Sequence, residues 1–175
     1  LSIRLREWLV AGRVDLAVLF DPPHSPQLQT ETLVREPMVL ISTQPLPPKV
    51  RLAAVAQRSL VMPRGPHALR QLLESYTRPR GMQLKMVAEV DSVQTVLSLV
   101  ARGVADTVLP LSATRAWIYP QPLHIAAMVA PAIRNRLVLA VPKARPGTQL
   151  SRYASQLLRT LVLQHFGGAA PAEPR

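Results

Sequence analysis

The segment EVDSVQTVLSLVARGVADTVLP, residues 89–110, constrains the fold more tightly than any other stretch of the chain. Asp91 or Ser92 can cap a helix here, and Gln94 stands three residues after Asp91, the spacing of a capping box. Val93, Val96, Leu97 and Val100 recur at i, i+3, i+4 and i+7 as one apolar stripe, with Arg102 in the last turn and Gly103 placed to end the helix. TVLP then reads as a short buried strand stopped by proline. A strand that feeds a helix aims the unpaired N–H groups of the first turn outward, where they can hold a carboxylate, phosphate or sulfate. The same spacing suits an ordinary βαβ unit with a satisfied cap. The segment therefore specifies a helix start and leaves its occupant open.

A chain of 175 residues is about one domain, or two small lobes. With 48% hydrophobic and 18% charged residues it can bury a sizeable core, and with only seven aromatics that core must be aliphatic. The absence of cysteine excludes a disulfide framework, a thiolate zinc site and a cysteine nucleophile. The first residues do not read as a secretory signal, and no uncharged run reaches the roughly 18 apolar residues of a membrane span. A cytoplasmic protein with no membrane partner is expected. The formal charge of +11 invites a nucleic-acid reading, but the arginines and lysines are scattered, without a basic run or interleaved aromatics. Direct nucleic-acid contact by these residues is not expected.

His24, His67, His124 and His165 share no ligand-like spacing, so neither a metal site nor a cofactor is expected. Asp15, Asp21, Asp91 and Asp106 have no sequence partner for acid–base work; Asp15 suits a helix-to-strand turn and Asp106 an exposed strand start. No G-x-S-x-G, Walker A or dinucleotide fingerprint occurs, so the chain is not expected to be an enzyme. Arg64 and Arg70 flank the start of a helix and suit either an anion or a solvated surface.

Helices and strands alternate along the chain. Ser2 can cap a first helix with Leu5, Trp8 and Leu9 on one face and Gly12 at its end, and DLAVLF, residues 15–20, reads as a strand buried on both faces of a parallel sheet. Residues 21–30 read as a loop, residues 38–42 as a strand, and the proline-rich 44–48 as a crossing between lobes. A short helix over 52–57, a strand over 59–62, and a helix opened by Gly65 and Pro66 with Leu69, Leu72, Leu73 and Tyr76 on one face follow. Residues 84–90 form the strand entering the opening segment; after Pro110 come a short helix at 112–117 and a strand at 137–141. Leu150, Tyr153, Ala154, Leu157, Leu158 and Leu161 make the cleanest amphipathic helix of the chain. The pattern is that of an α/β fold with parallel sheets, in which ligands sit beyond the carboxyl ends of strands.

Four blocks taken in order, GRVDLAVLF at 12–20, LVREPMVLIS at 33–42, LVMPRGPHALRQLLE at 60–74 and the opening segment at 89–110, resemble the effector-binding (substrate-binding) domain of LysR-type transcriptional regulators. FDPPHSPQLQTE looks closest to the branch similar to nitrogen-assimilation-control regulators. The resemblance implies a two-lobed, type II periplasmic-binding-protein-like fold that binds a small, often anionic effector in the interlobe cleft. It also implies self-association as a dimer or tetramer, and DNA contact only through an N-terminal winged helix-turn-helix. Residues 1–43 with 148–165 would be the first lobe, 46–147 the second, and 166–175 a disordered tail. The family's second-lobe ligand contacts fall on Met62, Pro63 and Arg64, on Asp91, Ser92 and Val93, and on Pro110. A departure is Ala105, where the family's G-x-G-x-T-V-L-P pattern has its second glycine. By the same resemblance Leu1 falls inside the first lobe. The DNA-binding domain, the first strand, first helix and second strand of the effector domain, and the usual first-lobe ligand loop have no counterpart here. The first lobe is then expected to be incomplete, and these 175 residues to be aggregation-prone or poorly cooperative. Alternatives are a solute-binding receptor of the same architecture, or a gene fragment without function.

Overall fold

The computed structural model describes residues 2–117, 121–145 and 147–167. In chain order these form α1 (Ser2–Val10), β1 (Ala17–Phe20), β2 (Leu28–Ser42), β3 (Lys49–Arg51), α2 (Leu52–Ala56), β4 (Ser59–Met62), α3 (Ala68–Thr77), β5 (Lys85–Glu89), α4 (Val93–Ala101), β6 (Thr107–Pro110), β7 (His124–Val129), β8 (Arg134–Pro142) and α5 (Gln149–Gly167). The chain divides into two compact units, residues 1–35 with 136–175 and residues 36–135, and the divisions fall inside the long strands β2 and β8. No helix among the described residues is long and apolar enough to cross a membrane.

In the first unit, α1 ends as its glycine dictates. Gly12 adopts φ +70°, and the N–H of Arg13 reaches back to the carbonyl of Trp8 at 2.8 Å, closing the last turn. A Cβ at Gly12 would also strike the guanidinium of Arg145, which donates to the Gly12 carbonyl at 3.2 Å. Ser2 is the first helical residue; its hydroxyl accepts from the Phe20 N–H at 3.4 Å. Of the expected apolar face, Leu9 is fully buried and Leu5 packs beside it, but Trp8 is 40% exposed. DLAVLF does form a strand, yet β1 pairs antiparallel with β8, from Ala17 opposite Ala140 to Phe20 opposite Leu137. Asp21 extends that ladder, its carboxylate accepting from the backbone N–H and the Nε of Arg136, each at 3.0 Å. The core of this unit is small: Leu9, Ala17, Leu19, Leu28, Val138 and Ala140.

The second unit carries the larger core, in which Leu40, Leu60, Met62, Leu73, Leu97 and Leu109 are fully buried. β4 and β5 are parallel, and the start of β6 joins β4 through a parallel bridge between Leu60 and Asp106. The expected parallel pairing holds for β4 with β5 and for β3 with β7, but the sheets are mixed, because β2 pairs antiparallel with both β6 and β7. β2 also begins at Leu28, inside the stretch read as a loop. β3 and β7 escaped the sequence reading for physical reasons. β3 has a single buried side chain, Val50, and the alternation of β7 rests on Ala126 and Met128, in a stretch punctuated by prolines. The expected tail is partly helical, since α5 runs to Gly167; residues 168–175 lie outside the described residues.

Candidate functional site

The carboxyl ends of β4 and β5 bring the expected contacts together. Met62 stands opposite Glu89 in the parallel ladder, and its carbonyl accepts from the Val90 N–H at 3.0 Å. One residue later the chain turns into α4. Of the two candidate caps the structure uses Ser92, whose backbone is extended at φ −99°, ψ 119° and whose Oγ accepts from the Thr95 N–H at 3.3 Å. Gln94 is therefore at the second helical position and not at the reciprocal place of a capping box. The stripe read from the sequence does anchor the helix: Val96, Leu97 and Val100 are fully buried, each contributing roughly 1.5–3 kcal/mol. Gly103, at φ +72°, closes it, with the Val104 N–H reaching the Leu99 carbonyl at 3.1 Å.

The loop after β4 lies on the same side. Arg64 is exposed, and its carbonyl accepts from the His67 N–H at 3.1 Å. His67 caps α3, its Nδ1 accepting from the Leu69 N–H at 3.3 Å. Burial holds the His67 imidazole below its ordinary pKa, and the nearby Asp91 carboxylate pulls the other way. Arg70 is saturated by Glu74, at 2.7 Å, and by Glu89 at the end of β5, so its guanidinium titrates above the ordinary arginine value. Glu74 is raised by burial, but Arg70 and Arg78 together hold it below the usual carboxylate range. No ion pair is formed by Arg64 among the described residues.

The seven expected contacts thus fall into two groups. Arg64, Asp91 and Ser92 present exposed side chains, and Val93 is half-buried at the first helical position. Met62, Pro63 and Pro110 are buried, with Pro110 paired to Met38 across the β2–β6 ladder. A concavity of about 550 Å³ beside these loops is lined by Gly65, Pro66, Arg70, Gln71, Glu74 and Glu89 among others, and by none of the seven. Asp106 departs from the exposed role expected of it, being paired with Arg58 and mostly buried. Asp15 is exposed and forms no turn hydrogen bond among the described residues.

Two neighbouring residues were not singled out from the sequence. His67, one of four scattered histidines, stands immediately before the apolar ALRQLL run, the position of a helix cap. Glu36 is only 6% exposed, and its carboxylate accepts from the Ser112 N–H two residues beyond Pro110. A lone acid directly before the apolar PMVLIS run was the available signal.

Comparison with known proteins settles the family, because the model of the LysR substrate binding domain matches residues 1–165. The chain belongs to the LysR substrate-binding domain family. Its relatives are transcriptional regulators and not enzymes. The nitrogen assimilation regulatory protein nac of Escherichia coli is 26% identical over 161 residues, which are 90% of this chain and 52% of that protein. The protein of the same name from Klebsiella aerogenes is 34% identical over 113 residues, 63% of this chain and 37% of that protein. The chain spans about half the length, or less, of these curated relatives. Solved LysR effector domains show the same type II periplasmic-binding-protein-like fold. The Synechocystis CcmR regulatory domain in complex with 2-PG has a TM-score of 0.80 at 15% identity, covering 91% of this chain and 79% of that one. The effector-binding domain of QuiR in complex with shikimate has a TM-score of 0.78 at 17% identity, covering 93% and 78%.

Proposed function

We propose that this LysR-type regulatory domain senses a small anionic effector at the start of α4, and that the Ser92 hydroxyl, the Val93 N–H and the Arg64 guanidinium hold its carboxylate or phosphate. The observation that carries this reading is that a capped helix N-terminus follows β5 and an exposed arginine with no ion pair among the described residues follows β4, both beyond the carboxyl end of one parallel strand pair. Two neighbours of the same fold were solved with small ligands, 2-PG and shikimate, which supports an effector of that size. In the cytoplasm the regulator would work by population shift: the effector favours one arrangement of the domain, and self-association passes that bias to DNA-binding segments elsewhere in the polypeptide. Met62, Pro63 and Pro110 serve this site by shaping its floor, since their side chains are buried.

Titration calorimetry with 2-PG and with shikimate as probes tests the reading. Whichever probe binds should lose about 10-fold in affinity in Ser92→Ala and in Arg64→Gln, since each removes a hydrogen bond to a charged group. Binding that is unchanged in both variants would dismiss the helix start as the effector contact.

A further inference from the structure

Two buried polar side chains of the second unit, Glu36 and Asn135, lie outside the expected effector contacts and stand side by side. Met38 on β2 is opposite Pro110 of β6, and on the other edge of β2 its N–H donates to the Ile133 carbonyl at 2.9 Å. β2 and β8 are neighbours in the sheet, and the bonds from Met38 to Ile133 and from Lys143 to Gln27 show that they run antiparallel. Two residues along β2 from Met38, the same registers set Glu36 against Ser112 on one edge and against Asn135 on the other. Burial agrees with this placement: Glu36 and Asn135 are 6% and 0% exposed, whereas Arg35 and Arg134 beside them in sequence are exposed. Facing residues of an antiparallel pair share one side of the sheet, with Cβ atoms about 4.5–5.5 Å apart. The Glu36 carboxylate accepts from the Ser112 N–H and forms no ion pair among the described residues. Its cross-strand neighbour, the Asn135 amide, is bonded through neither atom, although buried amides are almost always paired. Glu36 and Asn135 are also the first and last residues of the second unit, on the two strands that run on into the first.

We propose that Glu36 is a two-position hydrogen-bond switch, accepting from the Ser112 N–H in the arrangement seen and from the Asn135 Nδ2–H in a second one. The two donors sit on opposite edges of β2, and while the carboxylate is held at Ser112 it does not bond the amide. Each position leaves one donor unpaired, which keeps the two close in free energy. In the first the orphan is the wholly buried Asn135 amide; in the second it is the N–H of Ser112, a half-buried residue that water can approach. The exchange needs a rotation of the Glu36 side chain between staggered rotamers and breaks neither backbone ladder. Its consequence falls on the effector site. Releasing Ser112 loosens the turn that follows Pro110, while the new bond ties β2 to β8 where both strands leave the second unit. An effector that favours one position of the Pro110 turn thereby biases the pairing of these two strands, which is the bistable element that population shift requires. The switch stands on Glu36, Ser112 and Asn135 alone, and its coupling to the effector rests on the site proposed at the start of α4.

The test is relaxation-dispersion NMR of backbone and side-chain amides in the 175-residue chain, with hydrogen exchange of the Ser112 amide. The native chain provides a reading that needs no variant: the Ser112 N–H and the Asn135 side-chain amide are expected to exchange between two environments at one shared rate, on the μs–ms scale. Asn135→Leu removes the second donor, so it should quench the Ser112 exchange and raise Ser112 protection about 10-fold. Adding whichever of 2-PG and shikimate binds should shift the two populations in the native chain. A single environment for Ser112 in the native chain, unrelated rates at Ser112 and Asn135, or exchange at Ser112 that persists in Asn135→Leu would each overturn the switch. A probe that binds without moving the populations would overturn its coupling to the effector. Probe affinity unchanged in both Ser92→Ala and Arg64→Gln would dismiss the site at α4 instead, with the Ser112 exchange still deciding the switch.

Discussion

His67 and Asn135 show how a single polar atom inside the second unit sets a measurable energy. The Nδ1 of His67 accepts a backbone hydrogen bond only while the ring is neutral, and burial holds its pKa below 6.5 in the folded chain. As pH falls below about 6.5 the unfolded chain takes up the proton first, so the His67 contribution is complete above that value and is lost as pH falls through the folded pKa. Urea unfolding should show about 1 kcal/mol of cap stability lost on acidification, and His67→Asn, which keeps an acceptor that does not titrate, should remove that pH dependence. An unchanged pH profile in His67→Asn would refute the assignment. Asn135 is wholly buried with neither amide atom bonded among the described residues. Replacing it by leucine of similar volume should therefore raise the unfolding free energy by about 1 kcal/mol. A loss of stability would mean that the amide is bonded in solution.

Among the elements, α4 and α5 make opposite cases. In α4 local and tertiary signals agree: Ser92 caps it, Gly103 ends it, and the Val96, Leu97 and Val100 stripe is the side that is buried. Leu97→Ala should cost about 2–5 kcal/mol, read by chemical denaturation, and a cost under 1 kcal/mol would show that α4 does not anchor the core of the second unit. In α5 the stripe is just as regular, yet the exposed leucines reverse the expected sense. Periodicity shows that a helix has an apolar side and not what covers it. The strands repeat the lesson. β6 was legible because all four of its residues are buried, whereas the start of β2, where the consecutive polar residues Gln29 to Thr32 are all exposed, resembled a loop. The candidate site was legible to the same degree. Ser92 and Arg64 stand where a helix start and a strand end put them, but that Met62 and Pro110 would be buried depended on ladders to Glu89 and Met38, residues remote in sequence.

At the scale of the whole molecule the two units differ in core. Among the described residues twenty apolar side chains are buried in the main cluster of the second unit and six in that of the first. The first unit also keeps Ile3, Trp8, Val10 and Phe20 more than a third exposed, with β1 at the end of its sheet. Hydrogen exchange in mild denaturant should therefore show β1 and α1 opening before β4, α4 and β6, and heating should give a broad or two-step transition. Simultaneous loss of protection in both units, with one sharp reversible transition, would contradict this. By itself the sequence determined what is local: the capped α4 and its flanking strands, the aliphatic core, and the four ordered blocks that resemble the LysR effector domain. Caps, glycine ends and apolar periodicity are properties of adjacent residues, and they act within a turn or two of the chain. Only the tertiary structure decided that β2 runs antiparallel to β6 and β7, that Glu36 is held against Ser112, and that α5 turns its serines inward. Those outcomes depend on pairing and charge contacts between residues far apart in the chain, and no spacing along it encodes which partner a face will meet.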